Sequence, residues 1–225
     1  KAADVMDLRG IEAAIFDLDG TIADSMEMWD RVDDIFFEAH GLDMPDDYKD
    51  AIKAMDFNKA AEYTKRRFNL SLSINEIICE WYQLCENEYA NNIELKPHAA
   101  EFIKKLSGAG LKIGLATATD ADLFIPLLKK FDIFNCFDAY VTTDQAGKDK
   151  NSPDVYLLCA EKLKTPPERC IVFEDILVGI KSAKSVGMKV AGVFDNRSAC
   201  EKEQILKTAD YYIHDFGEVA DNLIF

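Results

Sequence analysis

Short, nearly unbroken apolar runs recur along this chain, and each of the main ones is followed by a stretch of helical periodicity. The runs are Ile11 to Phe16, Leu111 to Ala116, Ala139 to Thr142, Cys170 to Phe173, Met188 to Phe194 and the edge-like Tyr211 to Ile213. A strand that is apolar at successive positions has no wet face, which suits a parallel sheet covered on both sides. Between these runs, Pro97 to Ala109, Asp122 to Lys130, Pro153 to Leu163, Ile176 to Val186 and Ser198 to Lys207 read as helices. Ser152 before Pro153 reads as an N-cap and a first-turn proline, and Gly110 and Gly187 read as stops. The alternation predicts an α/β fold with a doubly wound parallel sheet.

One region breaks the pattern. From Ser25 to about Asn92 the periodicity is helical throughout, with Met28, Trp29, Val32, Ile35, Phe36 and Ala39 at three- and four-residue spacing and Gly41 and Pro45 closing that helix. Further helices are predicted at Asp46 to Met55, Asn58 to Phe68 and Ser73 to Asn91. Unstructured connections of such length are rare inside compact domains. The expected organisation is therefore an all-α helical domain, residues 25–93, inserted into a core of residues 1–24 and 94–225, with hinges at Asp24 to Met26 and Ile93 to Pro97.

Charge narrows the partners. The 225 residues carry 26 Lys and Arg against 41 Asp and Glu, a formal charge of −15. Such a chain lacks the clustered cations that displace counterions from phosphate backbones or anionic headgroups, so it predicts neither a nucleic-acid partner nor a membrane one. Residues 24–95 hold 17 of the acids and 7 of the bases, read as a solubilising surface. No apolar stretch approaches the ~20 residues that span a bilayer, and KAADVMDLRG has no apolar signal-peptide core, so the expected location is the cytoplasm. The six cysteines form no C-x-x-C pair and are expected to be reduced, mostly buried thiols. Oligomeric state is not legible; a monomer is compatible with everything above.

Ligands of open parallel sheets bind at the carboxyl ends of the strands. There the first apolar run ends in Asp17-Leu18-Asp19-Gly20-Thr21, the next in Thr117-Ala118-Thr119, and a later one in Glu174-Asp175, while Lys150 lies two residues before Ser152. Carboxylates converging on one point repel unless a cation holds them ionised, and an all-oxygen set favours Mg²⁺. A calcium loop is excluded because Gly20 is the fourth residue from Asp17, not the sixth. His40, His98 and His214 are scattered, and no G-x-S-x-G elbow is present, so a nucleophile–histidine triad has no obvious base.

Taken in order, these segments resemble the four signature motifs of the haloacid dehalogenase-like phosphotransferase superfamily: Asp17-Leu18-Asp19-Gly20-Thr21-Ile22, Thr117, Lys150 three residues before Pro153-Asp154, and Glu174-Asp175. The helical insertion sits where that family's type-one cap sits, on a Rossmann-like core. The resemblance implies Asp17 as nucleophile, Asp19 as acid and base with its backbone carbonyl at the metal, and Thr117, the Ala118 amide and Lys150 on the phosphoryl group. It implies Mg²⁺ held by Asp17, Asp19, Glu174 and Asp175. Asp19 favours phosphate esters over carbon–halogen bonds, since dehalogenases lack an acid at this position. Asp24 and Ser25 read as hinge or helix-capping residues. Lys148 competes with Lys150 for the third motif, and Asn151 stands where relatives often have proline.

Within the superfamily the pattern is similar to the β-phosphoglucomutase and phosphoglycolate phosphatase-like group. Trp29 occupies the position at which β-phosphoglucomutases carry a histidine, which argues for hydrolysis over mutase chemistry. The expected function is a Mg²⁺-dependent phosphatase of a small, sugar-phosphate-like metabolite. The alternatives are a phosphomutase and, on the same fold, a non-catalytic ligand-binding protein. Cap cations that can meet a second anionic group are Arg31, Lys49, Lys53, Lys59 and the run Lys65-Arg66-Arg67, most of which is expected to be solvated.

Overall fold

A computed structural model describes residues 5–52, 55 and 57–225 of the chain. The elements in order are β1 Met6–Asp7, β2 Ala13–Phe16, α1 Met26–Ala39, α2 Tyr48–Ile52, α3 Phe57–Phe68, α4 Ile74–Asn91, α5 Ala99–Gly108, β3 Lys112–Thr117 and α6 Ala121–Lys130. They continue with β4 Ala139–Thr142, α7 Thr143–Ala146, α8 Asp154–Lys162, β5 Cys170–Glu174, α9 Leu177–Ser185, β6 Lys189–Val193, α10 Lys202–Thr208, β7 Tyr211–Ile213, α11 Gly217–Ala220 and β8 Leu223–Ile224. The chain divides into two compact units: residues up to Asp24 together with Glu94–Phe225, and Ser25–Ile93.

The larger unit holds a six-stranded, wholly parallel sheet in the order β4-β3-β2-β5-β6-β7. Its centre is set by β2, every residue of which is buried; Ala14 pairs with Ile113 of β3 on one side and Ile171 of β5 on the other. The strand order reverses between β2 and β5, which makes their carboxyl ends the switch point of the sheet. One sheet face buries Phe16, stacked on Phe173 at 4.6 Å and flanked by Phe102 and Phe216. Ile15 and Val172 pack the other face against Val155, Tyr156, Cys159 and Ile180 from α8 and α9. A Cβ on Gly114 would fall 2.5 Å from Cys159 Sγ, so glycine in mid-strand is what lets α8 lie directly on β3.

The smaller unit is all helical and is held by aromatic packing. Phe36 meets Trp81 at 5.5 Å, Phe37 meets Tyr48 at 4.8 Å, and Phe57 stacks on Tyr82 at 5.1 Å. Trp29 joins this cluster against Phe57 and Tyr89. Ser73 and Glu76 form a reciprocal capping box at the start of α4, satisfying two of the amide groups a helix leaves unpaired there.

The six expected strands and the helical insertion all form, with ends displaced by a residue or two. Helix α8 begins at Asp154 with Pro153 at the N-cap, so the Ser-Pro start signal sits one residue out: the Ser152 hydroxyl bonds the Asp154 carboxylate instead. Among the described residues helix α2 spans Tyr48–Ile52, beginning two residues after the expected Asp46, and Lys53 lies outside the described residues. Ser25 occupies the N-cap of α1 without a side-chain capping bond, so the capping role falls to its backbone carbonyl, which accepts the Met28 and Trp29 amides. Strands β1 and β8 pair with each other in parallel and were not legible, because two residues are too few to show a period. The cysteines are not mostly buried: Cys85, Cys159 and Cys170 are, but Cys79 and Cys200 are exposed on helical segments. Among the described residues, no helix is long and apolar enough to cross a membrane.

Candidate active site

The first strand delivers its acids through a tight loop. Asp17 leaves β2 with its amide bonded to the Phe173 carbonyl of β5, and the buried Leu18 turns its own carbonyl onto the amides of Thr21, Ile22 and Ala23. Gly20 stands at φ +82°, a region costly for other residues, and a Cβ there would fall 2.5 Å from Asp175 Oδ2. The loop therefore brings its backbone against the end of β5. Thr21 completes the contact, donating its hydroxyl to Asp175 Oδ1 at 3.1 Å.

Lys150 is placed from the opposite side. A capping box between Thr142 and Gln145 starts α7, Gly147 ends it in the left-handed region, and the next turn carries Lys150 inward. The hydroxyl of Ser182 on α9 holds the Lys150 carbonyl at 2.7 Å. The buried ammonium then bridges Asp17 Oδ1 and Glu174 Oε2, the latter at 2.8 Å. Lys148, the competing lysine, points away, 61% exposed beside Asp154. Asn151, in the position relatives give to proline, bonds through its amide to Asp149 Oδ1 and so holds the turn by other means.

Oxygen atoms of Asp17, Glu174 and Asp175 all lie within 4.8 Å of one another, and all three side chains are buried. One lysine against three carboxylates leaves an uncompensated negative charge. Burial and the Glu174 charge accordingly push Asp17 up to about 7 despite the opposing lysine, and burial raises Asp175 well above its ordinary value. Lys150, whose burial alone would lower it, is held above its usual range by Asp17 and Glu174. An all-oxygen set with surplus negative charge fits a hard divalent cation. Asp19 lies outside that cluster as a side chain; its carboxylate accepts the Thr119 hydroxyl. Thr117 Oγ1 accepts the Thr119 amide at 3.0 Å, which leaves the Thr117 hydroxyl hydrogen to donate elsewhere. Ala118, beside it, is exposed.

Four side chains at the site were not read from sequence. Thr21 and Thr119 lie inside quoted motifs, but a threonine at a strand end carries no signal of its own. Ser182 and Tyr156 lie on helices and are indistinguishable there from packing residues. Tyr156 is fully buried and donates its phenol to Glu174 Oε2 at 2.8 Å; burial, then the nearby carboxylates, raises it well above its ordinary value, so it stays a donor.

In the helical unit the candidate cations are largely engaged. Arg31 pairs with Glu88 at 2.7 Å, Lys49 with Asp30 at 3.2 Å, and Arg67 with Asp47 at 2.6 Å. The expectation that the basic run is mostly solvated fails for two of its three members. Lys65 turns back onto the Leu70 and Leu72 carbonyls, and Arg67 also meets the Tyr63 hydroxyl, leaving Arg66 as the exposed one. Lys59, Arg66, Arg67, Tyr63, Glu62 and Met55 line a groove of about 510 Å³ within that unit.

A doubly wound sheet with buried carboxylates and a lysine gathered at its switch point is the frame of a hydrolytic enzyme acting on an anionic group. The chain belongs to the haloacid dehalogenase-like hydrolase family, whose model matches residues 11–187. It is 31% identical over 183 residues to the putative phosphatase YhcW of Bacillus subtilis, covering 80% of this chain and 81% of that one. It is 29% identical over 199 residues to hexitol phosphatase B of Escherichia coli K12, covering 80% and 82%. Its fold is similar to that of CbbY from Rhodobacter sphaeroides in complex with phosphate, with a TM-score of 0.81 and 27% identity over 92% of this chain and 96% of that one.

Proposed function

We propose that the protein is a Mg²⁺-dependent phosphatase of a small phosphorylated sugar or sugar alcohol. The observation that carries this reading is the buried Asp17–Lys150–Asp175 constellation at the switch point, with Asp19 beside it outside the carboxylate cluster. Asp17 is a carboxylate in a tight, water-poor site, suited to attack phosphorus. As its oxygen forms the new bond, the bond from phosphorus to the leaving oxygen breaks, and Asp19 gives that oxygen its proton. Asp19 then takes a proton from the water that opens the aspartyl-phosphate, releasing phosphate and restoring Asp17. Thr119 orients Asp19 for both transfers. The Thr117 hydroxyl, the Ala118 amide and Lys150 supply donors to the phosphoryl oxygens. Asp17 and Asp175, with the Asp19 carbonyl, are the residues that would hold Mg²⁺, which would neutralise phosphoryl charge; Glu174, its oxygens engaged by Lys150, Tyr156 and two backbone amides, adds negative charge beside them rather than a ligand.

Hydrolysis is favoured over phosphomutase chemistry by Trp29, whose ring packs on Phe57 and Tyr89 and offers no acid or base. The named activity of the Escherichia coli relative supports the polyol and sugar range of the substrate. The test is release of free phosphate across a panel of sugar and polyol phosphates with and without Mg²⁺, beside Asp17→Asn. Mg²⁺-dependent release from at least one member, lowered at least ~10³-fold in the variant, is expected; an Asp17→Asn protein as active as wild type overturns the assignment.

A further inference from the structure

The Glu174 carboxylate is held by four donors. Oε1 accepts the backbone amides of Asp175 and Ile176 at 3.2 Å each, and Oε2 accepts Lys150 Nζ and the Tyr156 phenol, both at 2.8 Å. A carboxylate has about four lone-pair positions, so every one has a partner. Three of these partners are accounted for by the chain's own course or by the site already described. The fourth, Tyr156, has no role in the chemistry described above and reaches in from α8, a helix whose remaining buried residues, Val155, Cys159 and Ala160, are packing residues.

The fold makes room for this contact. A Cβ at Gly179 would lie 2.6 Å from the Tyr156 hydroxyl and 2.8 Å from Glu174 Cδ, so α9 can pass the pair only with a glycine there. Three residues on, on the same helical face, Ser182 grips the Lys150 carbonyl. One face of α9 thus accommodates the tyrosine–glutamate pair and fixes the lysine loop together.

We propose that Tyr156 is a positioning residue: its hydroxyl fixes the Glu174 carboxylate so that Lys150 is shared between Glu174 and Asp17 rather than collapsing onto Asp17. This rests on the assignment of Asp17 as the reacting group. Without the hydroxyl, Glu174 loses its second Oε2 donor and can rotate away from the ammonium. Lys150 then pairs with Asp17 alone, where it competes both with the cation and with the nucleophile's approach to phosphorus.

The test compares Tyr156→Phe, which keeps the ring, with Tyr156→Leu, which does not. For Tyr156→Phe we expect kcat on p-nitrophenyl phosphate to fall about tenfold with KM within about twofold, and calorimetric Mg²⁺ binding to weaken about tenfold, at a near-wild-type melting temperature. Gly179→Ala, which presses on the same pair from α9, is expected to weaken Mg²⁺ binding in the same direction. A Tyr156→Phe protein with wild-type kcat and wild-type Mg²⁺ affinity overturns the proposal. So does one whose losses match those of Tyr156→Leu only in proportion to lowered melting temperature, since the ring alone would then explain them. If the wild type cleaves no phosphate ester, the phosphatase reading fails, while the Mg²⁺ titrations still decide the role of Tyr156.

Discussion

A missing Cβ at residue 20 couples two carboxylates. Gly20 sits at φ +82° with its absent Cβ 2.5 Å from Asp175 Oδ2, so the loop that carries Asp17 and Asp19 is also what seats Asp175. Alanine there would meet left-handed strain and displace Asp175 by close to an ångström, a misplacement that costs about 10²-fold in rate. Gly20→Ala is therefore expected to lower kcat about 100-fold while circular dichroism stays unchanged, read in a steady-state assay of phosphate release. Acid residues, the glycine and the lysine of this site were legible because they lie in short, fixed spacings after apolar runs. Thr119 and Tyr156 were not, since their meaning comes from partners 100 and 18 residues away in the chain. The choice between Lys148 and Lys150 likewise rested only on spacing to Pro153 until the structure put one against Asp17 and the other in solvent.

At the scale of elements, periodicity was a good guide wherever an element was long enough to repeat. Strands β4 and β7 begin and end where the apolar runs do, and α4 starts one residue after the serine that caps it. That cap is a measurable contribution. Ser73→Ala removes the side-chain acceptor from the Glu76 amide and half of the capping box, and is expected to lower stability by about 1 kcal/mol in urea denaturation, with activity per folded molecule unchanged. Elements of two residues escaped the reading: β1 and β8 depend on each other for their hydrogen bonds. Charge on helices was misjudged for a related reason. The run Lys65-Arg66-Arg67 points in three directions, and the chain around it supplies carbonyls, Asp47 and Tyr63 to two of them.

For the whole molecule, the concentration of uncompensated carboxylate at one point makes stability depend on pH and on cation together. Asp17, raised to about 7 from an ordinary value near 3.8, binds its proton more tightly in the folded than in the unfolded state. Between those values the folded state carries more protons, so stability without metal is expected to fall as pH rises from about 4 to about 7. A bound divalent cation favours the ionised form and reverses the penalty. Melting curves in EDTA and in Mg²⁺ check this: the Mg²⁺-induced rise should grow across that pH window. At about 100 times Kd it should reach about 2.7 kcal/mol, or roughly 5–10 °C for a chain of this size. Asp17→Asn should make the EDTA profile shallower, with the raised Asp175 supplying the slope that remains; an unchanged pH slope in that variant would exclude Asp17 as a source.

Sequence alone determined the class of fold and the chemistry available at the strand ends, because apolar period and motif spacing are local properties that act within a few residues. It also located the charge: the −15 formal charge of the chain is concentrated in residues 24–95, at −10, away from the motif acids. Tertiary structure decided which lysine reaches Asp17, which hydroxyls orient Asp19 and Glu174, and which cations are already paired. Those outcomes depend on close approach between elements distant in the chain, where a buried polar group must find a partner or bear its full desolvation cost. No pattern along the chain encodes that partner; the packing of α8 and α9 against β2 and β5 does.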